Sequence, residues 1–234
     1  MKPIPLKPKT TIGQSTQQRS FIDDDMCFQY NKYVIAEDKY IPLNIIPMGF
    51  EKEKEEIRLW GSQLHQHGIN YGRSGNISQR VGDEILITAH ESYLGFLDED
   101  DILVIDKDGT VVAGDKEPTS ESALHLFIYQ HFPQKHVVIH AHPPYTVHYF
   151  YHHESLSPIT LEERVYLGKI KAITQETPTI TDLASVGQAL NNNDVVVIKD
   201  HGVVAAGADF KYTFSLIELL EINARLRLTA PVSP

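Results

Sequence analysis

The sequence predicts an α/β fold in which helices cover a mixed sheet as a sandwich of layers. From residue 51 onward, segments with helical periodicity alternate with short segments rich in Val and Ile. Several of the short segments are joined by turns of hairpin length, which indicates that part of the sheet is antiparallel. The chain has 234 residues, of which 41% are hydrophobic, so one domain with a sizeable core is expected.

Residues 1–48 are expected to form an N-terminal extension that is partly flexible. Its first part, to about residue 20, is rich in Lys, Pro, Thr, Gln and Ser and shows no apolar periodicity. Residues 21–48 contain pieces such as Tyr33-Val34-Ile35, which predict short strands or docking segments. Residues 49–234 are expected to form the main domain.

The main domain opens with a predicted helix over residues 51–67. Its acidic first turn complements the helix dipole, and Gly68 can end it. Ile57, Trp60 and Leu64 share one face, which predicts the side that packs on the core. Apolar, β-branched segments predict strands at residues 84–88, 102–105, 110–112, 136–140, 169–173, 194–198 and 202–206.

Three more helices are predicted from caps and apolar stripes. The first opens at residues 118–120, and Thr181 caps the second. Asp209 caps the last helix, which directs Phe214 and Ile217 inward. These helices interleave with the strands, as a layered α/β fold requires.

Composition excludes several classes of function. The net charge of −10 repels a phosphate backbone, so a nucleic-acid partner is not expected. The single cysteine, Cys27, cannot form an intrachain disulfide or a C-x-x-C metal motif. No apolar run approaches the ~18 residues of a membrane span, so no membrane partner is expected. The first five residues lack an apolar signal core, and a cytoplasmic location is expected.

His140-Ala141-His142 is the sharpest local feature of the sequence. Alternate residues of a strand project to the same face, so both imidazoles can reach one ion. Zinc is commonly held by three protein ligands with a position left open for water or substrate. His201 is the best third candidate because it follows a predicted strand, where functional residues of α/β folds often lie. The pair alone is more often explained by packing or hydrogen bonding.

Glu121 has two interpretations. Near a helix start, it can be a surface acid that complements the helix dipole. Beside a three-histidine metal site, a carboxylate is the natural group for proton transfer. His148 and His152 are four residues apart and could share a helix face, for which a solvated or partly packed surface is the favoured interpretation.

Five motifs occur in the order found in the class II aldolase/adducin family, which the chain resembles over about residues 50–225. They are Ser74-Gly75-Asn76-Ile77-Ser78, Ile87-Thr88, Glu117-Pro118-Thr119-Ser120-Glu121, His140-Ala141-His142 and Lys199-Asp200-His201-Gly202-Val203. The resemblance implies a three-layer α/β/α sandwich around a central mixed, largely antiparallel sheet. It also implies a cyclic homotetramer.

The resemblance further implies a metal centre. Zn²⁺, or another divalent transition metal, would be held by His140, His142 and His201. Glu121 would be a fourth ligand in the resting state that leaves the metal to act as the base. The implied substrate-binding residues are Gly75, Asn76, Thr88, Thr119 and Ser120.

The activity implied by the resemblance is that of an aldehyde-lyase in carbohydrate metabolism. It would cleave or form a C–C bond in a small hydroxy-carbonyl compound, a sugar or sugar phosphate, through a metal-stabilised enediolate. The same scaffold supports 4-epimerases, dehydratases and decarboxylases. The epimerases carry Asp where Glu121 stands, which favours aldol cleavage, whereas a dehydratase stays open. A non-catalytic adducin-like module is disfavoured because that branch lacks the zinc histidines.

Two departures from the family pattern concern the substrate. The family loop T-P-[S/T]-G is Thr88-Ala89-His90-Glu91 here, and the proton-donating tyrosine of the aldolase maps by spacing onto Leu161 or Glu162. A carboxylate at Glu91 would repel a bound phosphate, although Arg73 could offset the repulsion. The sequence therefore predicts altered phosphate recognition, with a substrate that is unphosphorylated or carries its anion differently. The alternative is that Glu91 points to solvent.

Overall fold

A computed structural model of the protein describes residues 33–36, 39–42 and 49–230. The chain divides into two units, residues 1–47 and residues 48–234. In the first unit, β1 (Tyr33–Ala36) and β2 (Lys39–Pro42) pair as an antiparallel two-stranded sheet. The strand expected at Tyr33 is therefore confirmed, while the arm expected to about residue 20 lies outside the described residues.

The described residues of the second unit form six α-helices, two short 3-10 helices (Leu94–Phe96 and Glu99–Asp101) and nine strands. The helices are α1 (Glu51–Gln66), α2 (Ser122–His131), α3 (Pro144–His152), α4 (Leu161–Tyr166), α5 (Leu183–Leu190) and α6 (Phe210–Thr229). The strands are β3 (Asn76–Val81), β4 (Glu84–Thr88), β5 (Ile102–Ile105), β6 (Val111–Ala113), β7 (Val137–Ala141), β8 (Ser155–Leu156), β9 (Ile170–Ile173), β10 (Val195–Ile198) and β11 (Gly202–Gly207). Within the described part of the chain, no helix combines the length and the apolar character needed to cross a bilayer.

The nine strands form one sheet in the order β6-β5-β4-β3-β7-β11-β10-β9-β8. Neighbouring strands are antiparallel except for β9 and β10, which are parallel. The predicted mixed, largely antiparallel sheet is confirmed. The central strands β3, β7 and β11 pass through the middle of this order, and the candidate site lies at their ends.

The sheet is enclosed by helices on both faces because successive strand residues point to opposite sides. On one face, Ile57 of α1, Phe150 of α3 and Ile217 of α6 belong to one buried apolar cluster. On the other face, Leu124 of α2 and Val186 of α5 belong to a second cluster. The arrangement is the three-layer α/β/α sandwich that the sequence predicts.

The helix expected to open at residues 118–120 begins later, at Ser122. Pro118 forms an isolated antiparallel bridge with Ala89, and the Thr119 N–H donates to the Thr88 carbonyl at 3.1 Å. These contacts keep the segment extended until Glu121, which stands at the N-cap position of α2. Strands β3 and β8 and helix α4 were not predicted.

Helices α5 and α6 are each capped at the N-terminus by an aspartate. The expected cap Thr181 is wrong by one position, because the Asp182 side chain accepts the hydrogen bond from the Ser185 N–H at 3.1 Å. The cap predicted for the last helix is confirmed, since the Asp209 carboxylate accepts from the Tyr212 N–H at 2.9 Å. Both aspartates satisfy backbone donors that a helix start leaves unpaired.

Candidate metal centre

Three histidines converge where strands β7, β10 and β11 end or begin. His140 lies in β7, His142 follows the last residue of that strand, and His201 lies in the turn between β10 and β11. Strands β7 and β11 are antiparallel, with Ala141 opposite Val203. The end of β7 therefore lies beside the start of β11 and the turn that precedes it.

The geometry of the three-histidine cluster suits a single ion. Each ring offers one nitrogen, and these atoms all lie within 4.8 Å of one another. The ring centroids are 4.5 Å apart for His140 and His142, and 4.9 Å apart for His140 and His201. The structure thus brings together the three residues that the sequence singled out as ligands.

The hydrogen bonds of the rings leave nitrogen atoms for a metal. The Nδ1–H of His140 donates to the Val203 carbonyl at 2.9 Å, so the lone pair of this ring is on Nε2. The Nδ1 atoms of His142 and His201 are buried and have no hydrogen-bond partner among the described residues. Buried polar atoms without partners are rare, and three imidazoles are a known donor set for zinc. The residues therefore fit a bound transition metal.

The protonation state of the cluster also suits metal binding. Burial lowers the pKa of His140 to about 3, and the neighbouring His201 adds to the effect. Burial and then the two neighbouring rings lower the pKa of His142 to about 3. The pKa of His201 is lowered as well, again by burial. At neutral pH all three rings are uncharged, which is the form that coordinates metals.

Glu121 reaches the cluster from the start of α2. Its Oε2 atom lies 3.4 Å from Nε2 of His140. The same oxygen accepts a hydrogen bond from the Asn76 amide at 2.9 Å, and Oε1 accepts from the Ile180 N–H at 3.2 Å. The residue is only 5% exposed, so its interpretation as a solvated surface acid is wrong.

Strand β3 places Asn76 in the same row of the sheet as His140. The two residues are directly opposite in the pairing of β3 with β7. Gly75 precedes this pair with φ of 77°, and a Cβ atom there would lie 2.7 Å from the His140 carbonyl oxygen. Both the left-handed backbone and the close approach require glycine. The Ser-Gly-Asn segment therefore forms a turn that leads directly into the site.

A cleft of about 220 Å³ opens in front of the three histidines and Glu121. Among the residues predicted to bind substrate, its wall includes Gly75, Asn76, Thr119 and Ser120. Thr88 stands behind the wall instead. It is fully buried, and its hydroxyl accepts from the Ile77 N–H at 3.1 Å, which ties β3 to β4.

Two residues of the wall, Pro178 and Thr179, were missed by sequence reasoning. They lie in the loop before α5, which has neither apolar periodicity nor a recognisable motif. Their position depends on a tertiary contact, the hydrogen bond from the Ile180 N–H to Glu121. A local sequence pattern does not encode such a contact.

Other candidates lie away from the cleft. His148 and His152 share one face of α3, with ring centroids 5.5 Å apart, and neither belongs to the three-histidine cluster. Leu161, which corresponds by spacing to the family tyrosine, is 71% exposed on α4. Neither Leu161 nor the adjacent Glu162 lines the cleft.

At the mouth of the cleft, Arg73 pairs with Glu91. Their Nη1 and Oε2 atoms are 3.4 Å apart, and both side chains are largely exposed. Glu91 has φ of 55°, a conformation that favours glycine. This agrees with the glycine that the family loop carries at the matching position. The carboxylate of Glu91 therefore faces a neighbouring cation at the cleft mouth while it remains largely exposed to solvent.

Comparison with known proteins identifies the relatives of this chain. The sequence model of the class II aldolase and adducin N-terminal domain matches residues 55–228. An L-fuculose phosphate aldolase from Methanocaldococcus jannaschii is 36% identical over 166 residues, which are 71% of this chain and 90% of that protein. A 3-oxo-tetronate 4-phosphate decarboxylase from Haemophilus influenzae is 28% identical, over 76% of this chain and 87% of that protein.

A solved structure shows the same fold. The L-fuculose-1-phosphate aldolase from Thermus thermophilus superposes with a TM-score of 0.70. The superposition covers 78% of this chain and 100% of that chain, at 24% sequence identity. At this identity the similarity is one of fold, and it agrees with the three-layer sandwich described above.

Substitution of any of the three histidines should deplete bound metal. We expect His140→Ala, His142→Ala and His201→Ala each to lose most of the zinc retained after zinc loading and desalting, because a three-ligand site does not survive the loss of one ligand. The fold should persist, since the two apolar clusters are independent of the ion. Elemental analysis measures the metal, with His148→Ala as the matched control. Near-stoichiometric zinc in all three variants would contradict the site.

Acid should destabilise the metal-free protein in part through His125. Burial lowers the pKa of this residue to about 3, from 6.5. Between these values the unfolded chain binds a proton there and the folded chain does not, so stability falls as the pH falls. We expect His125→Gln, which does not titrate, to reduce this loss by up to about 1.4 kcal/mol per pH unit.

Urea unfolding of the metal-free protein at neutral pH and at about pH 5 measures the two slopes. His131→Gln, at the exposed end of the same helix, is the control for replacing a histidine of α2 by glutamine. Equal slopes for wild type and His125→Gln would show that the buried ring takes no part in acid destabilisation.

Proposed function

The chain belongs to the class II aldolase/adducin family, and we propose that it is a zinc-dependent lyase. The proposed reaction cleaves or forms a C–C bond in a small hydroxy-carbonyl compound, a sugar or a sugar phosphate. The observation that carries the proposal is the Oε2 atom of Glu121, held 3.4 Å from Nε2 of His140 on the wall of a cleft. A carboxylate placed beside three neutral imidazoles combines a proton-transfer group with a metal site.

We propose that His140, His142 and His201 hold the metal, and that Glu121 is a fourth ligand until substrate binds. When bound, the ion supplies a Lewis acid that stabilises negative charge on the substrate oxygens. Zinc suits three imidazoles best, and another divalent transition metal is the alternative. The side chains of the cleft perform the rest of the proposed reaction.

In the direction of bond formation, the carboxylate of Glu121 takes a proton from the carbon next to the ketone of one substrate. The electron pair left on that carbon attacks the carbonyl carbon of an aldehyde, and a new C–C bond forms. The aldehyde oxygen takes up a proton from solvent and becomes a hydroxyl, and Glu121 releases its proton to solvent, which restores the carboxylate. Cleavage is the reverse, in which Glu121 returns its proton to the carbon that the broken bond leaves behind.

A decarboxylase is the second candidate, favoured by the relative from Haemophilus influenzae. Loss of CO₂ from a 3-oxo acid leaves an electron pair on the same kind of carbon, and Glu121 can protonate it. Assays with L-fuculose 1-phosphate and with 3-oxo-tetronate 4-phosphate separate the candidates, because one releases an aldehyde and the other CO₂. Dehydratase and 4-epimerase activities stay as alternatives, and a non-catalytic adducin-like module predicts no turnover of either substrate.

For the substrate anion, we propose recognition by backbone N–H groups and hydroxyls of the cleft wall, together with Arg73. The Glu91 carboxylate competes with a substrate anion for Arg73, because the ion pair between Arg73 and Glu91 is already formed without substrate. Phosphate recognition should therefore differ from that of relatives with glycine at this position. A cytoplasmic location stays a prediction from the sequence.

Glu121→Gln should abolish most turnover while keeping the fold. The amide preserves the shape of the side chain but cannot accept the proton, and loss of a general base commonly costs about 10²- to 10⁴-fold in rate. Steady-state kinetics on L-fuculose 1-phosphate, normalised to bound zinc, measures the effect. The exposed Glu117→Gln, four residues earlier, is the control. If Glu121→Gln turns over an accepted substrate as fast as wild type, Glu121 is not the base.

Glu91→Gly should improve the use of a phosphorylated ketose. Removing the carboxylate frees Arg73 for the substrate, and we expect KM to fall by up to about fivefold, the equivalent of a surface charge pair worth about 1 kcal/mol. Glu91→Gln removes the charge but keeps a side chain at this left-handed position, so it separates the effect of charge from the effect of backbone flexibility. If wild type already turns over such a substrate efficiently and neither variant changes KM or kcat, the hypothesis is wrong.

We propose a homotetramer in solution, with the N-terminal extension over residues 1–48 as a segment that docks on a neighbour. Several large apolar side chains remain exposed, among them Leu161 and Val165 on α4, and such surfaces commonly mark interfaces. Light scattering at micromolar concentration should give about four times the mass of the chain. A monomer mass would contradict the proposal. A chain lacking residues 1–20 should still bind zinc, since no proposed ligand lies there.

A further inference from the structure

We propose that His125 is a positioning residue that fixes the amide of Asn76 and, through it, the carboxylate of Glu121 beside the three histidines. His125 lies one turn into α2 after Glu121 and does not line the cleft. It acts through Asn76, so it is not a catalytic residue. Its effect on turnover rests on the proposed function, whereas the hydrogen bonds that carry it can be tested without any substrate.

The amide of Asn76 bridges the two side chains. Its Nδ2 atom donates to Glu121 Oε2 at 2.9 Å, and its Oδ1 atom lies 2.5 Å from Nε2 of His125. A carboxylate can only accept hydrogen bonds, so the amide nitrogen must face Glu121 and the amide oxygen must face His125. Nε2 of His125 therefore carries the proton, and its Nδ1 is an acceptor.

The Nδ1 atom of His125 accepts a hydrogen bond, which stabilises this tautomer. The Ser78 hydroxyl lies 2.6 Å from Nδ1 of His125 and donates to it. Because the single Ser78 proton is used for His125, the Tyr129 hydroxyl must donate across its 2.7 Å contact with Ser78 Oγ; the His136 carbonyl, at 3.3 Å, is its more distant acceptor. All the members of the chain Tyr129–Ser78–His125–Asn76–Glu121 are buried. A change of charge at His125 or Tyr129 is unfavourable, because burial lowers the pKa of His125 to about 3 and raises that of Tyr129.

Every hydrogen bond in this chain points the same way, towards Glu121. Aligned bonds polarise one another, which strengthens the last bond to the carboxylate. A rotated Asn76 would turn its oxygen towards the carboxylate and its nitrogen towards a ring that offers only an N–H. Both contacts would be repulsive. His125 thus leaves Asn76 one orientation, in which Glu121 is held at the metal ligands before substrate arrives.

The chain is not a route for protons. The amide of Asn76 separates His125 from Glu121, and an amide does not readily release the proton that a relay would need. Orientation is therefore the role that remains for His125. If the ring only filled space between α2 and β3, a replacement that keeps an N–H donor and one that lacks it would reduce turnover equally.

The first experiment is ¹⁵N NMR of the histidine side chains in the metal-free protein. We expect His125 to be protonated at Nε2 only, and to stay neutral between neutral pH and about pH 5. Ser78→Ala removes the donor to Nδ1, but the Asn76 amide oxygen still accepts from Nε2, so we expect the same tautomer in this variant. A ring protonated at Nδ1 in either protein would overturn the proposal.

The second experiment compares His125→Gln with His125→Leu. The Gln amide nitrogen can take the place of Nε2 and donate to Asn76, whereas Leu fills space without a donor. We expect His125→Leu to lower kcat on L-fuculose 1-phosphate about 10- to 100-fold, as the loss of outer partners of metal sites commonly does, with KM changed far less. His125→Gln should recover most of that loss.

Zinc content and thermal stability of both variants are measured alongside the kinetics. Equal losses of kcat in two folded variants would show a space-filling role and overturn the proposal. If His125→Leu does not fold, the NMR result and the kcat of His125→Gln decide whether His125 orients Asn76. A wild-type protein with no activity on either candidate substrate would count against these two substrates, and the tautomer of His125 would still decide whether it orients Asn76.

Discussion

The register of β7 between β3 and β11 is the constraint on which the site depends. It sets Asn76, His140 and Val204 side by side in one row of the sheet, on the face covered by α2. Because side chains alternate along a strand, a slip of one residue would turn His140 towards the opposite helical layer. The same register brings the turn with His201 next to the end of β7. Apolar neighbours on both faces fix it, since Val138 and Ile139 belong to different buried clusters.

Much of the fold could be predicted from the sequence because its signals are local. Apolar, β-branched segments marked the central strands β7, β10 and β11, and the His-x-His spacing needed only the alternation of a strand. Strand β3 was missed because Ser78, Gln79 and Arg80 give it a polar appearance. Its Ser78 is buried only because the fold supplies partners, His125 and Tyr129. The burial of polar groups depends on such distant partners, which a single sequence does not reveal.

The electrostatics of the site differ from those of the whole chain. The protein carries a net charge of −10, which opposes the approach of an anionic substrate. The three clustered histidines, His140, His142 and His201, add no attraction in the metal-free protein, because burial lowers their pKa and keeps them uncharged. Under the proposed function, the positive potential that holds an anion would come from the metal ion, from backbone N–H groups, and from Arg73 at the mouth. Metal binding and binding of an anionic substrate would then be coupled.

The two outermost strands of the sheet have a consequence for how copies of the protein can associate. Strand β6 has three residues and β8 has two, so neither outer edge offers a long row of unpaired backbone groups. Short edges of this kind are poor templates for a further strand, which protects a nine-stranded sheet from growing by aggregation. Assembly through continuous β-pairing is disfavoured at both ends. Within the nine-stranded unit, the surfaces left for association are those of helices and loops, whose side chains can select one partner and one orientation.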